Sequence, residues 1–126
     1  MGHRFHAHSN AVRHARRTAI EFACEHDVPA DKLHAIALAV SEATTNVVMH
    51  AYRRGPLAGT FSLDLEVLDS SLMIDVRDDG LGMRPRIDSP GLGLGLPIIA
   101  SVTDGFAVAP GETGGTCVSM RFDLDA

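Results

Sequence analysis

Apolar residues near the start of the chain recur at the spacing of one helix face: Val12, Ala15, Ala19, Phe22 and Ala23. Ser9 or Asn10 is the expected cap, and the helix should run to about His26. The segment Asp27-Val28-Pro29-Ala30 ends it. A second helix is expected from about Ala30 to Ala51, with Leu33, Ile36, Ala37, Val40, Val47, Val48 and Ala51 as its buried stripe. Gly55-Pro56 and Gly59 then close the helical part. From there the period changes to two. Phe61, Leu63, Leu65 and Val67 alternate with polar residues, Asp69-Ser70-Ser71 makes a turn, and Leu72, Ile74 and Val76 alternate again. Such a pair of runs reads as a hairpin. A glycine- and proline-rich loop follows from Asp79 to about Gly93. A third helix is expected over about Leu94 to Val102. Phe106 and Val108, then Cys117, Val118, Met120 and Phe122, predict two more strands, with Gly114-Gly115 in the turn between them.

The resulting order is two helices, a hairpin, a helix and a second hairpin. Hairpin-paired strands with their helices on one face make a two-layer α+β sandwich. The sheet is expected to be mixed but mostly antiparallel. The chain has 126 residues and 45% hydrophobic content, which suits a single domain over 1–126 with one core. Trp is absent, so that core must be mainly aliphatic.

Composition narrows the function. A formal net charge of −5 argues against a nucleic-acid footprint. Arg13, Arg16 and Arg17 form a local basic cluster, as do Arg53 and Arg54. These fit solvated helix faces, or a patch for an acidic partner or a phosphate. Cys24 and Cys117 are far apart and lack CxxC spacing, so each is expected to be a small buried hydrophobe in a reducing, cytoplasmic setting. No run is long and apolar enough for a membrane span, and the first residues lack a signal core. His3, His6, His8 and His14 cluster near the start. No carboxylate or Cys completes a ligand set there, so they read as free surface groups.

Glu42, Asn46 and His50 are spaced by one helical turn and form a polar stripe away from the apolar one. An Asn carbonyl oxygen suits Mg²⁺, which takes few protein ligands and keeps several waters. A carboxylate one turn away can orient or deprotonate an attacking hydroxyl. The stripe alone also fits an ordinary amphipathic helix with a wet face.

Asp78-Asp79-Gly80-Leu81-Gly82 follows an alternating strand. A carboxylate at a strand end can accept a hydrogen bond from an exocyclic amine such as that of adenine, and the glycines let a ligand approach. A plain turn fits equally. Gly91-Leu92-Gly93-Leu94-Gly95-Leu96 leads into the third helix, where backbone N–H groups attract phosphate. No Lys-Ser/Thr follows, so it is not a P-loop, and it lacks the dinucleotide spacing and a βαβ unit. Pro97 suits a first helical turn. Gly114-Gly115-Thr116 opens the last strand, as a turn or with a hydroxyl for a phosphate.

The joint order carries more than its parts. An E-x-x-x-N helix, then D-x-G-x-G after a strand, then G-x-G-x-G before a helix, then G-T before the last strand resembles the GHKL ATPases. The wording from Ser41 to Tyr52, Arg77 to Met83 and Gly91 to Ile99 looks most like the bacterial anti-sigma-factor serine/threonine kinases. The resemblance covers nearly the whole chain and implies a Bergerat-type ATP site. By it, Asn46 holds Mg²⁺ and Glu42 acts as base or orients the acceptor hydroxyl. His50, Asp78, Gly80, Gly82, Met83, Gly91, Leu92, Gly93, Leu94, Gly95, Leu96 and Thr116 join Asn46 in binding the nucleotide, with Asp78 reading the adenine amine. A short first strand within His3 to His8 is also implied.

The implied activity is sequestration of a sigma factor and phosphorylation of a serine on a STAS-type antagonist, commonly by a homodimer. The alternatives are a nucleotide-binding regulatory module without useful catalysis, and the catalytic domain of a histidine kinase. His14 lacks the usual dimerisation helix that would make it a phospho-acceptor. One departure bears on turnover. Only Met83 to Pro90 separate Gly82 from Gly91, a shorter lid than in the better-known members.

Overall fold

The computed structural model describes residues 1–54, 59–78, 95–110 and 115–124; for Ser9, His50 to Arg54 and Gly95 it describes the backbone alone. The strands are β1 (Gly2–His6), β2 (Thr60–Leu68), β3 (Ser71–Asp78), β4 (Gly105–Pro110) and β5 (Thr116–Asp123). The α-helices are α1 (Ser9–Glu25), α2 (Leu33–Arg54) and α3 (Gly95–Val102). The strands form one sheet in the order β1-β2-β3-β5-β4. Every described pairing is antiparallel, so the α+β sandwich with a mostly antiparallel sheet is as expected, and no described pair is parallel.

The helices lie over one face of this sheet. α1 packs against β1 and β2, α2 over the central β3 and β5, and α3 against β4. The alternating pattern decides which face they cover. In register across β2, β3 and β5 stand Leu63, Val76 and Val118, then Leu65, Ile74 and Met120. All six are buried. The opposite face carries the polar partners. There the Arg77 guanidinium bridges Asp64 and Asp75 at 3.0 and 3.1 Å. These are exposed pairs and contribute little each.

Helix ends differ from the expected ones in instructive ways. The cap position of α1 is His8, which makes no side-chain cap bond, so neither Ser9 nor Asn10 caps it. At its other end Asp27 adopts a positive φ of 58°. The N–H of Val28 then reaches Ala23 O at 3.0 Å and that of Asp27 reaches Cys24 O at 3.3 Å. This is a Schellman closure with Asp in the place usually held by glycine, and Val28 buried behind it. Residues Ala30–Lys32 form a 3₁₀ turn, so α2 begins three residues later than the pattern predicts. The β2–β3 turn is Asp69-Ser70 alone, both at positive φ, because Ser71 already pairs with Leu68.

Burial corrects two further expectations. Cys24 is exposed and Cys117 half-buried; both are free thiols rather than core residues. Leu33, Ala37 and Val12 are only half-buried, whereas Ala39, Ala43 and Thr44 of α2 are fully enclosed. Phe106 is on the helix-facing side of β4 but remains 38% exposed, since that strand is the sheet's edge. Among the described residues, no helix is long and apolar enough to cross a membrane.

Candidate functional site

The sheet register explains how two polar residues reach the helix side of a hydrophobic sheet. On β3 the inward row runs Leu72, Ile74, Val76 and then Asp78. On β5 the corresponding row runs Thr116, Val118, Met120, Phe122. The strands are antiparallel, so Asp78 and Thr116 meet at the same end of adjacent strands. Both apolar rows therefore finish in a polar residue under the helix layer. The Thr116 N–H donates to Asp78 Oδ2 at 3.0 Å, which fixes the carboxylate. Asp78 is half-buried and Thr116 only 2% exposed. Each makes a further polar interaction.

α2 packs over β3 and β5, the strands that carry the pair. Glu42 and Asn46 stand one turn apart on α2, and both are half-buried. Their flanking residues Ala43, Thr44, Val47 and Val48 are buried, so the polar stripe is held by a helix anchored on its other side. The predicted division of α2 into a packing face and a polar face is observed. His50 lies in the same helix, and its side chain is outside the described residues.

Of the glycine loops, Gly95 is the first residue of α3, with Leu96 half-buried and Pro97 exposed in its first turn. Gly80, Gly82, Met83, Gly91, Leu92, Gly93 and Leu94 lie outside the described residues. Of the described oxygen donors, the Asn46 amide oxygen and the Glu42 carboxylate stand one turn apart on α2, while the Asp78 carboxylate is the one held by the Thr116 N–H. Oxygen donors of this kind fit Mg²⁺ held largely by a substrate's phosphates. Among the described residues no group of His, Cys, Asp and Glu forms a metal cluster, the N-terminal histidines included.

Two further features belong to the helix layer: the arginine cluster of α1, legible in the sequence, borders a groove, and a polar residue that the sequence pattern hides lies within α2. Arg13, Arg16, Arg17, Ile20 and Glu21 of α1, with Ala37 of α2, line an open groove of about 570 Å³. The Arg16 guanidinium also donates to Ser41 Oγ at 3.3 Å, next to Glu42. The second is Thr44, which the aliphatic pattern of α2 masks.

A two-layer sandwich with this helix stripe and strand-end pair defines a class. The chain belongs to the histidine kinase-like ATPase domain family, whose model matches residues 5–122. Within it, the chain is 30% identical to an anti-sigma F factor of Clostridium acetobutylicum, over 94% of this chain and 89% of that protein. Its fold is similar to a Mycobacterium tuberculosis structure of RsbU and RsbW domains, with a TM-score of 0.77 at 20% identity. That likeness covers 98% of this chain but 31% of the longer one. A blue-light activated histidine kinase of Erythrobacter litoralis is 33% identical with a TM-score of 0.63, over 78% of this chain and 32% of that one.

Proposed function

We propose that this chain is a single-domain, ATP- and Mg²⁺-binding anti-sigma factor that sequesters a sigma factor and phosphorylates a serine on a STAS-type antagonist. The observation that supports the ATP site is the meeting of Asp78 and Thr116 on β3 and β5, the two strands against which the helix bearing Glu42 and Asn46 packs. The choice of partners is supported by the relative named anti-sigma F factor, which matches this chain nearly end to end.

In this reading Asp78 accepts the exocyclic amine of adenine, and the Thr116 N–H keeps the carboxylate from turning away. Asn46 supplies its amide oxygen to the cation. The glycines Gly91, Gly93 and Gly95, in the sequence that leads into α3, offer backbone N–H groups to the phosphates. Glu42 accepts the proton of the acceptor serine's hydroxyl as that oxygen bonds to phosphorus and the bond to ADP breaks. When bound, ATP with Mg²⁺ provides the transferable phosphoryl group and offsets its charge. The arginine groove on α1 is the face proposed for an acidic surface of a partner.

The test is transfer of label from γ-labelled ATP to a candidate STAS protein. Transfer by the wild type and its loss in Glu42→Ala are expected. No transfer by the wild type, or undiminished transfer by Glu42→Ala, refutes the kinase. The short Met83 to Pro90 segment favours a second reading, nucleotide-gated sequestration without turnover. In that case wild type and Glu42→Ala bind ATP and partner alike and neither transfers label.

A further inference from the structure

The inward face of α2 is built from Ile36, Ala39, Val40, Ala43, Thr44, Val47 and Val48, all buried. Thr44 is the one polar residue among them and is 0% exposed. Its hydroxyl donates to Val40 O at 2.7 Å and lies 3.3 Å from Ser41 O. Valine has a similar branched outline with a methyl in place of the hydroxyl, and its helix propensity is comparable. Neither packing nor propensity therefore calls for an oxygen at this position.

The hydroxyl acts on the helix backbone. In a regular α-helix the Val40 carbonyl already accepts the Thr44 N–H. A second donor from the same residue draws on that carbonyl again, and bonding of this type often bends helices. The turn concerned leads directly into the functional stripe. Val40 and Ser41 precede Glu42, and in the α-helical ladder the Glu42 carbonyl receives the N–H of Asn46. Thr44 is two residues from each, about 200° round the helix, so it faces away from both. It reaches the site only through the backbone.

We propose that Thr44 is a positioning residue, whose buried hydroxyl sets the turn of α2 that aims Glu42 and Asn46 at the nucleotide. This rests on the ATP site proposed above. Binding of MgATP and the thermal midpoint are to be measured for the wild type, Thr44→Val and Thr44→Ser. Thr44→Val keeps the branched outline and loses the hydroxyl. Its midpoint should equal or exceed the wild type's, while its Kd weakens at least about fivefold, roughly 1 kcal/mol of lost binding. Thr44→Ser keeps the hydroxyl and loses a buried methyl. Its midpoint should fall, with a Kd within about twofold of the wild type.

A merely structural role predicts the reverse order, with affinity following stability. Wild-type affinity in Thr44→Val overturns the proposal, as does loss of affinity in both variants in step with their midpoints. Failure of the wild type to bind MgATP overturns the nucleotide site itself, a result distinct from either of these.

Discussion

Asp78→Asn separates what the strand-end carboxylate does for the fold from what it does for the ligand. A carboxylate offers about four acceptor sites and no donor. One of its oxygens, Oδ2, receives the Thr116 N–H at 3.0 Å. Asparagine can keep an oxygen on that N–H, exchanging a charge-assisted bond for a neutral one, at a cost of about 1 kcal/mol. Its remaining group is then an amide NH₂, which sets a donor against the exocyclic amine of adenine. A lost bond to a charged group and an unsatisfied donor together cost about 3 kcal/mol, or roughly a hundredfold in Kd. Calorimetric titration with ATP, beside urea denaturation of the same samples, measures both quantities. A large loss of affinity with a small loss of stability is expected. An unchanged Kd refutes the assignment of Asp78 to the nucleotide. A stability loss well above 1 kcal/mol makes Asp78 chiefly a structural clasp between β3 and β5.

Ile74→Ala removes a fully buried side chain from the middle of the sheet, between Leu65 and Met120. It should destabilise the protein by about 3 kcal/mol in urea titration and lower the thermal midpoint by roughly 10 °C. Reversing two charges in the α1 groove, with Arg13→Glu and Arg17→Glu together, should weaken capture of the partner at least about tenfold while ATP affinity stays unchanged. A pull-down with and without ATP checks the first effect, and calorimetry the second.

The strand assignments were legible because burial on a one-sided sheet follows a period of two. Phe61 to Leu65 and Leu72 to Val76 alternate in the sequence as they do in the structure. The same alternation, carried one step past Val76 and one step before Val118, places Asp78 and Thr116 on the helix side. Their hydrogen bond was not legible, because it depends on strand register across 38 residues of sequence. Helix boundaries were less legible than strands. The 3₁₀ turn at Ala30–Lys32 and the left-handed Asp27 arise from local backbone bonds that composition does not encode. Cys24 was misread because Cys is usually buried, yet its place on α1, beside the fully buried Ala23, points it outward. Thr44 was missed for the opposite reason. A single polar residue inside an aliphatic stripe leaves the periodicity intact, and its hydroxyl is satisfied by its own helix.

The nucleotide site is the premise for everything proposed beyond the family. Calorimetric titration of the wild-type chain with ATP, in Mg²⁺ and again in excess chelator, tests it most directly. Saturable one-site binding that weakens when Mg²⁺ is removed is the predicted result, since Asn46 is assigned to the cation and Asp78 to the base. No heat of binding in either condition, confirmed by an unshifted thermal midpoint, would contradict it.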